Sequence, residues 1–264
     1  MNILFWNLGN NENSSRIKKL MQEHSVDIAI FAEHDKTDFI RLISECNNTL
    51  KMVYEYGGCK RIRTIIRSEY KYTVFQEESR YVIYEIDTKE SRFIISAVHL
   101  QDRRNYDSSA RIATIGRLVN DISTQEDKNK CKESIIIGDF NANPYDEELL
   151  QFNAFNAVLF KDVIRKSETR LYNERRYRRF YNPVLDFISE TEMNYGSYYS
   201  TNHSSSPVWY CLDQALFSRS LVDSVMNFRY IRKIGSEDLV NTAGPLHRIS
   251  DHLPLIVSVK EKGG

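Results

Sequence analysis

The sequence predicts an α/β fold in which two mixed β-sheets pack face to face with helices on their outer faces. Three observations predict it. Short runs at residues 3–6, 26–31, 93–98 and 135–137 are almost wholly apolar, as strands buried on both faces are. Stretches with the apolar period of a helix lie between some of these runs. From residue 51 to residue 98, short strand-like segments follow one another with turn residues between them and no helix. The chain has 264 residues and no stretch composed like a linker. We therefore expect one domain over residues 1–260 and a frayed tail over 261–264.

Each element has its own reason. The strand at residues 3–6 ends at Asn7. Ser14 or Ser15 can cap a helix whose inward positions are Ile17, Leu20, Met21 and His24. The strand at 26–31 runs into Ala32-Glu33, and a helix is expected over 35–46. The meander of antiparallel strands comprises 52–56, 61–67, 70–75, 81–86 and 93–98. The likeliest hairpin turn is at 87–90, and the last strand runs directly into His99. Ser108 or Ser109 can cap a helix whose stripe is Ile112, Ile115, Val119 and Ile122. A charged loop is expected over 126–133. The strand Ser134-Ile135-Ile136-Ile137 follows, then a turn at Gly138 and a short helix over 146–152. Residues 160–209 are the least regular, with a polar loop at 200–207. Strands are expected at 212–217, 225–230 and 255–259, separated by a polar loop at 235–247.

Hydrophobic residues make up 41% of the chain and charged residues 27%, enough to bury a sizeable core. Thirty-six basic residues balance 36 acidic ones, so any nucleic-acid surface must be a local patch rather than a global basic field. The four cysteines, Cys46, Cys59, Cys131 and Cys211, include no Cys-x-x-Cys pair. That argues against a structural zinc site and for reduced, mostly buried thiols. No leader-like segment opens the sequence and no apolar run approaches the length of a membrane span. A cytoplasmic protein is the expectation.

The polar residues at the strand ends form a set: Asn7, Glu33, His99, Asp139, Asn141, Asp213, Asp251 and His252. Open α/β sheets place their ligands at such ends. Asp139 and Asn141, two apart after Gly138, point to the same side while Phe140 points to the core. Glu33, Asp139 and Asp251 are hard oxygen donors and Asn7 is a neutral one, a set suited to Mg²⁺ or Mn²⁺. The two histidines suit proton transfer or charge stabilisation, and Asp213 can orient one of them. This combination describes metal-assisted attack on a phosphoester.

Six segments carry a family resemblance: Leu4-Phe5-Trp6-Asn7, Ile30-Phe31-Ala32-Glu33, Ala97-Val98-His99-Leu100, Ile137-Gly138-Asp139-Phe140-Asn141, Leu212-Asp213-Gln214-Ala215-Leu216 and Ser250-Asp251-His252-Leu253-Pro254. In order and content the chain resembles the endonuclease/exonuclease/phosphatase superfamily, with its deoxyribonuclease-I-like fold. The resemblance implies a four-layer α/β sandwich and divalent-metal-dependent cleavage of a phosphate ester. It implies Glu33 as principal Mg²⁺ ligand, Asn7 in the metal or phosphate shell and Asp251 completing the metal site. Asp139 would position or deprotonate the attacking water, and Asn141 would hold that water or the phosphate. His99 would donate to a non-bridging phosphate oxygen. His252, oriented by Asp213, would be a second phosphate contact or a general base. Many members carry a basic or aromatic residue after the Asp of the fifth segment, where this chain has Gln214.

Residues 165–181 interleave Arg175, Arg176, Arg178 and Arg179 with Tyr177 and Tyr181. Arginines suit phosphates and tyrosines suit bases, so this stretch is the expected substrate contact; a solvated helix is the alternative. The expected function is a nuclease acting on DNA or RNA. The alternatives are a phosphatase of a nucleotide, inositol or lipid phosphoester, and a non-catalytic phosphate-binding module.

Overall fold

The computed structural model describes residues 1–46, 50–55, 57–189, 192–200, 208–241 and 244–261, with the side chains of residues 54 and 55 also left undescribed. Strands β1 (Asn2–Asn7), β2 (Ile28–Ala32), β3 (Met52–Glu55) and β4 (Ile62–Arg67) belong to a first sheet. A second sheet contains β5 (Lys71–Glu77), β6 (Tyr81–Asp87), β7 (Arg92–His99) and β8 (Ser134–Asp139). It also takes in β9 (Ala157–Val158), and the hairpin β10 (Thr169–Tyr172) and β11 (Arg175–Arg178) stands apart from both sheets. After β12 (Phe180–Tyr181), the small pair β13 (Tyr198–Tyr199) and β14 (Trp209–Tyr210) precedes β15 (Asp213–Phe217) and β16 (Val225–Tyr230). The C-terminal strand is Leu255–Val259.

The first sheet has the order β16, C-terminal strand, β1, β2, β4, β3, and the second the order β5-β6-β7-β8-β15-β12-β9. Both are mixed: β1 runs parallel to β2, and β7 parallel to β8, among antiparallel neighbours. The expected fold class therefore holds. The expected meander, however, is divided: β3 and β4 pair in the first sheet, whereas β5, β6 and β7 pair in the second. Alternation along a strand shows which residues face inward but not which sheet receives the strand.

Side-chain parity in the second sheet shows the layering. Val82, Tyr84, Ile95, Ala97, Ile135, Ile137, Ala215 and Phe217 join the core cluster shared with Ile3, Phe5 and Ile30 of the first sheet. Their neighbours Ile83, Ile94, Val98, Ile136 and Leu216 turn the other way. They pack with Ile115, Leu118 and Ile122 of the long helix Ser108–Asn129. The helices Ser14–Glu23 and Phe39–Cys46 bury Ile17, Leu20, Met21, Leu42 and Cys46 in the cluster that contains the first sheet.

Local differences from expectation have physical causes. Helix Ser14–Glu23 begins after Asn13, whose amide donates to the Ile249 carbonyl at 2.8 Å instead of capping. Helix Ser108–Asn129 is capped by Asp107, whose carboxylate accepts from the Ala110 amide at 2.8 Å, rather than by a serine. It also runs through residues 126–129, where a charged loop was expected. Glu126 is buried there, holding both Ser134 Oγ and the Arg178 guanidinium, so its charge is internal. The helix expected over 35–46 begins only at Phe39. The polar stretch 235–247 holds short two-stranded pairs, Lys233–Ile234 with Glu237–Asp238 and Val240–Asn241 with Gly244–Pro245. Of the polar loop 200–207 only Ser200 is among the described residues, and 262–264 of the tail lie outside them. Glu261 is tied down, its carboxylate 3.2 Å from the N-terminal amine. All four cysteines are free and buried. Among the described residues, no helix is long and apolar enough to cross a membrane.

Candidate active site

The site lies where the two sheets present strand ends to one another. In the second sheet, parallel pairing sets His99 beside Asp139, and antiparallel pairing sets Asp139 beside Asp213. Gly138 makes this register possible: a Cβ there would lie 1.9 Å from the Val98 carbonyl oxygen, so β7 and β8 approach closely just before the site. In the first sheet, parallel β1 and β2 end at Asn7 and Ala32, and Glu33 follows. Glu33 has φ +46 and Asn141 φ +49, the left-handed region that non-glycine residues seldom occupy. Both therefore leave their strands through a sharp turn of the backbone.

Asn7 ties the two sheets together. It is buried, and its Nδ2 donates to Asp139 Oδ2 at 3.1 Å and to Glu33 Oε1 at 3.3 Å. Its Oδ1 accepts from the Gly9 amide at 3.0 Å. Its backbone carbonyl accepts from Ser250 Oγ at 2.7 Å, and Trp6 Nε1 donates to the His252 carbonyl at 3.0 Å. The Ser250-Asp251-His252 segment is thus clamped onto the end of β1. Asp139 Oδ1 accepts from the Asn141 amide at 2.8 Å, and Asn141 Nδ2 donates to the Leu100 carbonyl at 3.0 Å. His99 Nε2 lies 3.6 Å from Glu33 Oε1 and 3.8 Å from Asp139 Oδ2. Asp213 Oδ2 is 2.7 Å from His252 Nδ1.

Burial sets the charges. Asp139 is fully buried, which raises its pKa; the charge of Asp213 adds to this, while His252 and His99 act against it. For His252, burial alone would lower the pKa, but the charge and hydrogen bond of Asp213 outweigh it. With Asp139 and Asp251 contributing, the value is raised to about 10. His252 is therefore an imidazolium at neutral pH, ion-paired to Asp213. His99 goes the other way: burial holds its pKa below the ordinary histidine value, so it is neutral at that pH.

Two groups of residues can hold a cation. Ligand atoms of Asp139, Asp213 and His252 lie within 4.8 Å of one another, but there the imidazolium already supplies a positive charge. Glu33 and Asp251 instead line the open cavity, and Asp251 Oδ1 comes within 3.1 Å of where a Gly9 Cβ would stand. Their carboxylate oxygens are the donors a hard divalent ion takes, whereas Asn7, expected as a further ligand, presents its Nδ2 to Glu33 and gives its Oδ1 to the Gly9 amide.

The cavity over these groups has a volume of about 1020 Å³. It is lined by Glu33, His99, Asp139, Asn141, Asp251 and His252, while Asn7 and Asp213 lie buried behind them. All eight strand-end residues singled out in the sequence are thus brought together. Arg175, Arg176, Arg178, Arg179, Tyr177 and Tyr181 are not. Antiparallel pairing sets Tyr181 beside Phe217, at the opposite end of β15 from Asp213. Arg178 holds Glu126, which also binds Ser134 at the start of β8. Five residue steps of strand take the chain from Ser134 to Asp139, roughly 16 Å at about 3.3 Å per step. The segment forms a hairpin, not a helix. Tyr177 packs on Phe152, and buried Tyr181 gives its hydroxyl to Asp186.

The cationic and aromatic wall of the cavity comes from elsewhere: Arg61, Arg80, Arg103, Arg104, Tyr106 and Tyr198. Arg103 and Arg104 follow His99 within five residues, a nearness to a strand end that could have found them. Arg103 is 2.5 Å from Asp146 and 3.1 Å from Glu148, and Glu148 also binds buried Arg111 at 2.6 Å. Arg111 in turn donates to the Asn141 carbonyl at 2.7 Å. Gln214, the departure noted in the sequence, is a buried clamp. Its Nε2 donates to the Ala142 carbonyl and its Oε1 accepts from Asn182, both at 2.6 Å.

Comparison with known proteins agrees with this geometry. The profile of the Endonuclease/Exonuclease/phosphatase family matches residues 4–252. No curated protein matches the chain. Among solved structures, the chain is similar to the endonuclease domain of TRAS1, a telomere-specific non-LTR retrotransposon. That match has a TM-score of 0.57 at 11% identity and covers 99% of this chain and 98% of that one. Truncated TDP2 from Caenorhabditis elegans gives 0.59 at 15% identity, with 98% and 96% covered. A mannosyl-6-phosphatase of Bacteroides thetaiotaomicron gives 0.59 at 15%, with 98% and 99% covered. The likeness to these structures is one of fold. The family profile runs from β1 to His252, across every strand end that supplies the site, and the chain belongs to the Endonuclease/Exonuclease/phosphatase family.

Proposed function

We propose that the chain is a divalent-metal-dependent phosphodiesterase, a nuclease acting on DNA or RNA, that uses Mg²⁺ and accepts Mn²⁺. The observation that carries this reading is the buried Asp139 carboxylate, set beside the Asp213–His252 ion pair and joined through Asn7 to Glu33 in one cavity. Glu33 and Asp251 would hold the ion, with Asn7 orienting Glu33. When bound, the ion neutralises phosphate charge in the transition state. Asp139, with its pKa raised by burial, takes the proton of the attacking water. The Asn141 amide keeps Asp139 in place. His252, held protonated by Asp213, donates to a phosphate oxygen and offsets the developing negative charge. Neutral His99, between Glu33 and Asp139, donates to a second phosphate oxygen. The water oxygen bonds to phosphorus as the ester P–O bond breaks, and the departing oxygen takes up a proton from solvent.

The test is a panel of single- and double-stranded DNA, RNA, phosphorylated sugars and phosphoinositides, with and without Mg²⁺. Metal-dependent cleavage of a nucleic acid is the expected result. Cleavage confined to sugar or inositol phosphates would make the protein a phosphatase. No turnover of any member would make it a phosphate-binding module.

A further inference from the structure

Arg111 is a charged residue that the fold hides. It stands on helix Ser108–Asn129, is 2% exposed and lines no part of the cavity. The two terminal nitrogens of its guanidinium serve different partners. Nη1 lies 2.6 Å from Glu148 Oε1, and Nη2 donates to the Asn141 carbonyl at 2.7 Å. Glu148 is itself buried, so the ionic contact lies out of water. Burying such a pair is costly, and two apolar side chains of similar size often hold packed elements together as well or better. What apolar side chains cannot do is donate a hydrogen bond to a main-chain carbonyl. The function of the pair therefore lies at the Asn141 peptide.

That peptide needs holding. Asn141 has φ +49, and a non-glycine residue stays in the left-handed region only where its surroundings fix it. Three hydrogen bonds do so. The Asn141 amide donates to Asp139 Oδ1 at 2.8 Å, its Nδ2 donates to the Leu100 carbonyl at 3.0 Å, and its carbonyl accepts from Arg111. The first fixes the peptide before Asn141 and the last fixes the peptide after it. Both backbone dihedrals between them are thereby set. The next carbonyl, that of Ala142, is held by Gln214 Nε2 at 2.6 Å. One turn further along the helix of Arg111, Thr114 Oγ1 accepts from Gln101 Nε2 at 2.8 Å. Residues three apart share a helix face, so this one face is tied to the chain leaving β7 and to the chain leaving β8. Those two exits carry His99 and Asp139.

We infer that Arg111 is a positioning residue for the reaction: it holds the Asn141 turn so that the Asn141 amide keeps the Asp139 carboxylate aimed at the attacking water. It does so from outside the cavity, through the main chain. Glu148 fixes the guanidinium in place, and Arg103, 3.1 Å from the other Glu148 oxygen, holds Glu148 in turn. Without Arg111 the Asn141 carbonyl loses its donor in a buried place, where an unmade hydrogen bond is expensive. The turn then relaxes out of the left-handed region and its amide leaves Asp139 Oδ1. This deepens the phosphoesterase reading and rests on it, because the aim of Asp139 matters only if Asp139 is the base.

The experiment joins hydrogen exchange to kinetics. Arg111→Met alone leaves Glu148 buried beside one half-exposed arginine, Arg103. The variant carrying both Arg111→Met and Glu148→Gln is therefore made as well; it removes the two buried charges together, and Arg103 keeps Asp146. Circular dichroism and Tm of this double variant should stay near those of the wild type. By NMR its Asn141 amide should exchange about tenfold faster or more, while the Ile136 and Ala215 amides of the sheet exchange as before. With bis(p-nitrophenyl) phosphate and saturating Mg²⁺, kcat should fall by about 10²-fold while KM changes by less than about threefold. A role in holding the fold alone would instead lower Tm and quicken exchange throughout the sheet. That result, an Asn141 amide as protected as in the wild type, or an unchanged kcat overturns the inference and leaves the phosphoesterase reading standing. A wild type that does not hydrolyse the ester overturns both.

Discussion

Asp139 is a carboxylate that the fold removes from water and surrounds with donors: the Asn141 amide, the Asn7 side chain and, at 3.8 Å, His99. Asparagine has nearly the same shape but cannot take a proton. Asp139→Asn should therefore lower kcat by about 10²-fold or more, the scale of one preorganised electrostatic contact. Its circular dichroism and Tm should stay close to those of the wild type; activity retained within a few-fold would remove Asp139 from the reaction. At this scale the sequence was informative where a polar residue borders an apolar run. Asn7, Glu33, His99 and Asp139 stand out at the ends of such runs, and Asp213 and His252 just before them. The arginines of the cavity wall do not, because Arg61, Arg80 and Arg104 sit in turns whose sequence has no period. Gln214 also has no local signal. Its role as a clamp between Ala142 and Asn182 exists only once β15 has paired with β8.

Among the elements, the close pairing of β7 and β8 carries the site. Adding a methyl group at Gly138 forces it onto the Val98 carbonyl. Gly138→Ala should cost about 2–3 kcal/mol of stability by overpacking, measured by chemical denaturation, and should lower activity by moving His99 relative to Asp139. An unchanged denaturation midpoint would mean the strands can separate without penalty. The hairpin of β10 and β11 gives the opposite lesson. Its composition resembled a nucleic-acid contact, but composition does not reveal which end of a sheet an element occupies. Arg80→Ala and Arg104→Ala should each reduce the salt dependence of single-strand binding, by about 0.7 in the log–log slope per lost phosphate contact. Arg175→Ala and Arg176→Ala, at the far end, should leave the slope as it was. The reverse result in a fluorescence-anisotropy titration would return the hairpin to the substrate. Element boundaries were misread where burial overrode composition, as at Glu126, whose charge is neutralised inside the protein by Arg178.

The molecule as a whole explains why residues spread from Asn7 to His252 act as one site. The first sheet and its C-terminal segment supply Asn7, Glu33, Asp251 and His252, and the second supplies His99, Asp139 and Asp213. The hydrogen bond from Asn7 to Asp139 and the ion pair between Asp213 and His252 cross the seam. The face-to-face packing of two sheets was legible in the sequence because strands buried on both sides are nearly all apolar. The division of the meander between the sheets was not, since it depends on pairing across the chain. The central claim is that this seam holds a divalent ion and hydrolyses a phosphoester with it. The most direct measurement is hydrolysis of bis(p-nitrophenyl) phosphate by protein stripped with EDTA, as Mg²⁺ is returned, for the wild type and for Glu33→Gln. The expected result is no turnover without metal, saturable recovery in the wild type, and a rate about 10²-fold lower in Glu33→Gln at saturating Mg²⁺. Full activity in EDTA, or equal recovery in the two proteins, would contradict the account.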